Sequence, residues 1–140
     1  MAKAKTIQTL TPNRLRFASR WLAKRDCALK RVLDEHGYPQ LWDRPPGFSM
    51  TVDLVCCAMT KHTGIGDWTA DLYLSECLLR CDILPKGDIG VQEAFRVLKG
   101  LDARPAHEKL EAMTKHWCPW RSVGTRMLWL FYLNRRKANC

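Results

Sequence analysis

The sequence predicts an all-α protein, and two observations lead to this fold class. Turn and capping residues divide the 140 residues into segments of helical length and leave little room for strands. Apolar residues recur at helical spacing, as Val91, Ala94, Phe95 and Leu98 do, and do not alternate as they would in a strand. With 46% hydrophobic residues, the chain can build the core of a single helical domain over residues 1–140.

Two helices and a loop are predicted in the N-terminal part. Pro12 suits the first turn of one helix. Asp26 is expected to cap a second helix, which runs to His36 and ends at Gly37. The stretch 38–48 is rich in Pro and Gly, which predicts a loop.

Further helices are predicted behind this loop. Thr51 is expected to cap the first of them, and Asp67 is expected to cap the second. The last one is apolar on nearly every side, which predicts a buried helix. The predicted ranges are 51–61, 67–80, 88–99, 105–115 and 121–133.

Two glycines one residue apart, Gly64 and Gly66, lie between the first two of these helices in the stretch HTGIGDWTAD. Glycine tolerates positive φ and leaves backbone N–H groups unobstructed, so the chain can turn sharply and approach another surface closely. N–H groups at such a turn suit a phosphate group. An ordinary tight turn between helices is the alternative.

Positive charge is concentrated near the N-terminus. In residues 1–31, nine Lys and Arg stand against Asp26 alone, which accounts for +8 of the net charge of +9. Such clustering fits attraction to a polyanion, and nucleic acid is the commonest polyanion in a cytoplasm. A solvated helix face is the alternative.

The composition indicates a cytoplasmic protein with reduced thiols. The sequence has no apolar run of about 18 residues, and its N-terminus lacks the apolar segment of a secretory signal. The seven cysteines are odd in number and mostly scattered, unlike a disulfide framework. Cys77 and Cys81 have no second Cys or His pair at a helpful spacing, so no metal site is expected.

Three motifs follow one another between residues 52 and 133: HTGIGDWTADLYL, LPKGDIGV, and HWCPWRS before an apolar helix. Together they resemble the helix-hairpin-helix DNA glycosylase superfamily, and within it DNA-3-methyladenine glycosylase II. LAKRD and YPQLWDRPPGF, within residues 22–48, carry a weaker likeness. The resemblance implies a shortened glycosylase-like helical bundle. Basic N-terminal helices and a Pro/Gly loop (1–50) would precede a helix-hairpin-helix lobe (51–140).

Asp88 aligns with the catalytic aspartate of that superfamily. A carboxylate near C1′ stabilises the positive charge that builds on the deoxyribose when the N-glycosidic bond breaks, or orients the attacking water. Helix capping is the structural alternative, and both roles are compatible. Bifunctional relatives carry a Schiff-base lysine where this chain has Trp68, so the resemblance implies a monofunctional enzyme that uses water.

Trp68 and Trp129 stand where the 3-methyladenine enzymes place the aromatic walls of the base pocket. An indole attracts a base that alkylation has made cationic. Core packing is the alternative for both residues, and Trp117 is interpreted mainly as a packing residue.

DNA contacts are implied for the hairpin and for the PWRS-like segment. In the superfamily the hairpin docks on the DNA backbone through main-chain N–H groups, often with a monovalent cation held by hairpin carbonyls. This chain has Thr63 where the family usually has proline. No other cofactor is implied. The implied DNA-binding residues are Gly64, Ile65, Gly66, Thr69 and Arg121.

The chain departs from the superfamily after Phe48. Relatives continue there through several helices, which form one wall of the pocket and carry the loop that inserts a wedge residue into DNA. Here Ser49 to Thr60 stand before the hairpin segment. The helix 121–133 would then leave apolar surface uncovered. We expect the isolated chain to self-associate or to be partly molten, with the basic N-terminal helices either folding over this face or exchanging between two copies.

The implied activity is hydrolysis of the N-glycosidic bond of alkylated bases such as 3-methyladenine in double-stranded DNA, as in base excision repair. One alternative is a catalytically inactive helix-hairpin-helix DNA-binding remnant. Another is a helical interaction protein that no longer uses the motif. Base release separates the first from the other two, and salt-dependent DNA binding separates the remnant from the interaction protein.

Overall fold

A computed structural model describes residues 9–41 and 66–139 of the chain. A π-helical turn, Tyr73–Cys77, continues the helix Asp67–Leu72, and a 3-10 turn, Lys115–Trp117, precedes the helix Arg121–Ala138. Strand-like pairing in the described ranges is limited to an isolated antiparallel bridge between Thr9 and Arg80. The predicted all-α fold class is confirmed. The α-helices of the described ranges are α1 Pro12–Ala23, α2 Cys27–His36, α3 Asp67–Leu72, α4 Ile89–Lys99, α5 His107–Met113 and α6 Arg121–Ala138.

The two N-terminal helices begin and end where the local sequence predicts. Pro12 occupies the first turn of α1, and the Thr11 side chain accepts a hydrogen bond from the backbone N–H of Arg14. The Asp26 carboxylate caps α2 by accepting from two backbone N–H groups of its first turn. Gly37 ends α2 with a φ of +76°, a conformation that glycine adopts without strain.

Helix α3 differs from the prediction at both ends. Gly66 occupies the N-cap position, so the prediction that Asp67 caps this helix is wrong. Asp67 is instead the first helical residue, and its carboxylate lies 3.3 Å from the Lys86 ammonium group. The helical segment was expected to reach Arg80 but ends at Cys77, shortly before Leu79 turns the chain with a φ of 54°.

The last two helices also differ from their predicted ranges. Helix α5 is shorter than 105–115, and α6 continues beyond Leu133 to Ala138, because no Gly or Pro interrupts that stretch. The prediction that α6 is buried holds only for its first half. Residues 122–128 are buried, whereas Leu133 is 42% exposed.

The core is built around the buried half of α6, against which α1, α2 and α4 pack. Trp117 is fully buried, and its ring lies edge-on to Phe95 of α4. Gly124 allows α6 to approach that indole closely, because an added Cβ would lie 2.5 Å from the Trp117 ring. The interpretation of Trp117 as a packing residue is confirmed.

A buried carboxylate, that of Asp26, joins the start of α2 to the rest of the core. It accepts hydrogen bonds from Lys99 Nζ at 2.8 Å and from Trp117 Nε1 at 2.9 Å, and His116 Nε2 lies 3.2 Å away. Burial by itself would raise the pKa of Asp26. The hydrogen bonds from Lys99 and Trp117 outweigh burial and hold the pKa below its ordinary value of 3.8.

The predicted loop 38–48 is described over residues 38–41, which form no helix. The rest of that loop and the predicted helix 51–61 lie outside the described residues. None of the helices in the described ranges is long and apolar enough to cross a membrane.

Candidate active site

Asp88 lies at the N-terminus of α4, where the local sequence explains its position. Gly87 turns the chain with a φ of +77°, and Asp88 follows in an extended conformation as the N-cap. Its Oδ1 atom accepts a hydrogen bond from the backbone N–H of Val91 at 2.8 Å. The capping role is therefore present, and Asp88 is buried, with 8% of its surface exposed.

Two indole groups converge on this carboxylate from other helices. Trp68 of α3 donates from Nε1 to Oδ2 of Asp88 at 2.9 Å, and Trp129 of α6 donates from Nε1 to Oδ1 at 3.3 Å. Trp68 is 46% exposed and Trp129 is half-buried, so neither is a residue of the fully buried core. The structure thus brings together three residues that the sequence singled out separately.

A cavity of about 340 Å³ opens beside the carboxylate. This volume falls within the range of about 300–1,000 Å³ found for small-molecule sites. Its walls are mainly aromatic and aliphatic, and they belong to α3 with its π-helical turn, the start of α4, and the second half of α6. The lining residues are Trp68, Leu72, Glu76, Asp88, Gly90, Trp129, Tyr132 and Leu133.

The charges at the cavity are negative. Asp88 and Glu76 both line it, and no Lys or Arg stands among its described lining residues. Glu76 pairs with Arg126, whose Nη2 lies 3.1 Å from Oε1 on the buried side of the wall. Burial lowers the pKa of Arg126, and the neighbouring Glu76 opposes that shift. A cationic or electron-poor ligand is therefore favoured over an anion.

The sequence reasoning missed five of the lining residues, and helical spacing carries a signal for three of them. Leu72 and Glu76 follow Trp68 at successive intervals of four residues, and Tyr132 follows Trp129 by three. Residues at these spacings share one face of a helix. The spacing becomes informative once the two tryptophans are known to face the same cavity.

Comparison with known proteins matches about half of the chain. The provisionally named DNA-3-methyladenine glycosylase YfjP of Bacillus subtilis is 38% identical over 71 residues, which are 51% of this chain and 25% of that protein. A DNA-3-methyladenine glycosylase of the same organism is 30% identical over 71 residues. This chain is homologous to DNA-3-methyladenine glycosylases over about half of its length.

A third glycosylase relative gives the longest of these matches. The alkylbase DNA glycosidase-like protein mag2 of Schizosaccharomyces pombe is 31% identical over 81 residues, which are 58% of this chain and 38% of mag2. The chain therefore spans well under half the length of each of these three relatives, between 23% and 38%. No protein-family model matches the chain.

The residues that glycosylase resemblance assigns to DNA contact are only partly described. Gly64 and Ile65, together with the monovalent cation expected at the hairpin, lie outside the described residues. Gly66 and Thr69 are exposed at the start of α3, next to Trp68. Gly66 has a φ of −84°, so the left-handed conformation considered for the hairpin glycines does not occur at this residue.

Arg121, also assigned to DNA contact by the glycosylase resemblance, is held by the protein itself. Its guanidinium group forms a two-point ion pair with Asp82, with distances of 2.7 Å and 3.1 Å, and Glu111 lies 3.6 Å away. The hydrogen bond to Asp82 raises the pKa of Arg121. The structure does not bring Arg121 to the cavity beside Asp88. Within the described ranges, no group of three or more His, Cys, Asp or Glu side chains could hold a metal ion.

Proposed function

We propose that this chain excises alkylated bases such as 3-methyladenine from double-stranded DNA by hydrolysing the N-glycosidic bond. One observation carries the proposal: the Asp88 carboxylate meets two indole groups at one cavity, in a chain homologous to DNA-3-methyladenine glycosylases. Asp88 is the catalytic residue in this proposal, and Trp68 and Trp129 form walls of the base pocket.

The chemistry requires a single catalytic carboxylate, which Asp88 supplies in this proposal. When the bond between C1′ and the base nitrogen breaks, its electron pair leaves with the base and positive charge develops on the deoxyribose. An anion held beside C1′ stabilises that charge. Water then adds its oxygen to C1′ and releases a proton. Alkylation at a ring nitrogen makes the bound base cationic, so the base leaves as a neutral molecule and needs little further activation.

Base selection in this proposal depends on charge and shape. Trp68, Trp129 and Tyr132 give the cavity flat electron-rich surfaces, and its lining carries two carboxylates. An aromatic ring attracts a cation by about 0.5–2 kcal/mol, depending on how far the pair is removed from water. A normal base is neutral and gains less from the same walls. Selectivity for alkylated bases over normal bases follows, with little discrimination among different alkylated bases.

DNA binding in this proposal relies on attraction between basic side chains of the protein and the phosphates of the DNA backbone. The net charge of +9 is concentrated in the N-terminal residues, and the exposed basic side chains of α1 and α2 belong to that group. Gly64, Ile65, Gly66 and Thr69 are the proposed hairpin contacts, with a monovalent cation on the hairpin carbonyls. A protein that acts on DNA in this way would be found with the nucleoid.

DNA binding without base release is the second candidate function. It is favoured by the departure from the superfamily after Phe48, where Ser49 to Thr60 stand in place of the several helices that the resemblance implies. An extruded base leaves a gap in the DNA stack that a protein group usually fills. A chain that lacks such a group would bind DNA and leave the glycosidic bond intact.

Base release from alkylated DNA tests the two candidates. The purified full chain is incubated with DNA that carries 3-methyladenine and 7-methylguanine, and free bases are separated and quantified. DNA affinity is measured on the same preparation at two salt concentrations. Release of methylated bases supports the glycosylase. Salt-dependent binding without release supports the second candidate, and the absence of both excludes both.

A further inference from the structure

The two carboxylate oxygen atoms of Asp88 differ in the number of hydrogen bonds that they accept. Oδ1 accepts from Val91 N–H at 2.8 Å and from the Trp129 indole at 3.3 Å, whereas Oδ2 accepts from the Trp68 indole at 2.9 Å. Each oxygen of a carboxylate can accept about two hydrogen bonds. Among the described contacts, Oδ1 is therefore fully used and Oδ2 keeps one acceptor direction.

We propose that Trp68 and Trp129 are positioning residues for Asp88, in addition to walls for the base. Their N–H groups fix the orientation of the carboxylate and direct the remaining acceptor position of Oδ2 toward C1′ of the deoxyribose. This inference rests on the proposed glycosylase function. It assigns the indoles an action on the sugar, through Asp88, that does not require a base in the pocket.

The donors restrain the rotation of the carboxylate. Because both oxygens are engaged by groups on α3, α4 and α6, turning the carboxylate about its Cβ–Cγ bond breaks at least one hydrogen bond. Indole N–H groups only donate, so they favour an acceptor with two oxygens. Hydrogen bonds to a charged acceptor are roughly twice as strong as bonds between neutral groups.

The charged side chains near Asp88 do not donate hydrogen bonds to it in place of the indoles. Glu76 lines the same cavity and carries the same charge as Asp88. Lys86 lies two positions before Asp88 in the chain, but its ammonium group pairs with Asp67 at 3.3 Å. Arg126 lies on the far side of Glu76 and pairs with it at 3.1 Å. Among the described residues, the side chains that donate to Asp88 are thus the two indoles.

Abasic DNA analogues test the positioning role apart from base stacking. One duplex carries a pyrrolidine whose protonated nitrogen replaces C1′, and the matched duplex carries a neutral tetrahydrofuran. Neither probe contains a base. Wild-type protein is expected to bind the cationic probe more tightly than the neutral one. Trp68→Phe and Trp129→Phe keep an aromatic ring but remove the N–H, and each should reduce that preference by roughly tenfold.

The control is Trp21→Phe, because Trp21 belongs to α1, where its ring faces Arg25 and lies outside the cavity. This variant should keep the wild-type ratio of the two Kd values. Thermal denaturation of all three variants establishes that they are folded. For base release, Trp68→Phe and Trp129→Phe should lower kcat while the Kd for the neutral probe stays near the wild-type value.

The Kd ratios distinguish a failure of the positioning role from a failure of the proposed glycosylase function. If wild-type protein prefers the cationic probe and both Phe variants keep the full preference, the positioning role is overturned while the proposed function stands. If wild-type protein shows no preference, the proposed function is overturned and the positioning role with it. A reduced preference in the Phe variants, with Trp21→Phe unchanged, supports both.

Discussion

Replacing Asp88 with Asn separates the structural role of this residue from its proposed catalytic role. Asn keeps one side-chain oxygen, which can still accept from the Val91 N–H, and Asn and Asp cap helices about equally well. Its amide NH₂ group then takes the place of the second oxygen and faces the Trp68 N–H, so two donors meet where one hydrogen bond stood.

The stability cost of this substitution should be small. A hydrogen bond to a charged group contributes about 1.5–3 kcal/mol in general. Trp68 is 46% exposed, so water can satisfy its N–H once the carboxylate is gone. We therefore expect a loss of about 1 kcal/mol in the free energy of unfolding, or about 3–4 °C in Tm for a domain of this size.

The effect on base release should be much larger. Removing one electrostatic contact to a transition state typically lowers kcat by about 10²–10³. Thermal denaturation and release of 3-methyladenine are measured on the same preparation of Asp88→Asn. A folded variant that releases bases at the wild-type rate would refute the catalytic assignment of Asp88.

Asp26→Asn is the matched control for this experiment. Asp26 also caps a helix and also accepts a hydrogen bond from an indole N–H, that of Trp117, but it lies in the core and does not line the cavity. Asp26→Asn should lower the free energy of unfolding more than Asp88→Asn does, because the carboxylate of Asp26 is fully buried and also pairs with Lys99. The folded fraction of Asp26→Asn should keep wild-type base release.

Four further predictions follow. The pKa of Asp26 is lowered on folding, so its stabilising contribution is fully present above its unfolded pKa and is lost as pH falls through its folded pKa; acid denaturation of wild type and Asp26→Asn should therefore converge at low pH. Gly124→Ala should lower the free energy of unfolding by about 1–2 kcal/mol in denaturant titrations, because the added Cβ meets the buried Trp117 ring and this overpacking outweighs the gain in helix propensity. Gly66→Val should lower Tm only slightly, through the loss of an N-cap glycine, since a Cβ at Gly66 meets no atom of the described residues within 4 Å; it should lower DNA affinity in binding titrations by obstructing the approach of the hairpin backbone to DNA, and unchanged affinity would remove Gly66 from the interface. The isolated chain is expected to self-associate through exposed apolar side chains beside the cavity, and light scattering that shows a monomer at all concentrations would prove this wrong.

The local sequence by itself determined where several helices begin and which carboxylate stands at the site. Pro12, Asp26 and Asp88 each start a helix at or within one residue of the expected position, because a cap is a contact between residues two or three apart and depends on residue type alone. Asp67 is the exception, since Gly66 occupies the N-cap position and the Asp67 carboxylate forms an ion pair with Lys86.

Tertiary structure decided what the capping residues and tryptophans contact. The indoles that donate to Asp88 lie 20 and 41 residues away from it along the chain. The ion pair between Arg121 and Asp82 joins residues that are 39 positions apart. Helical periodicity states which residues share a face of one helix, but not which faces of two helices meet. That choice depends on how all the side chains fill the core together, and Gly124 against Trp117 is the contact that brings α6 close to the core indole.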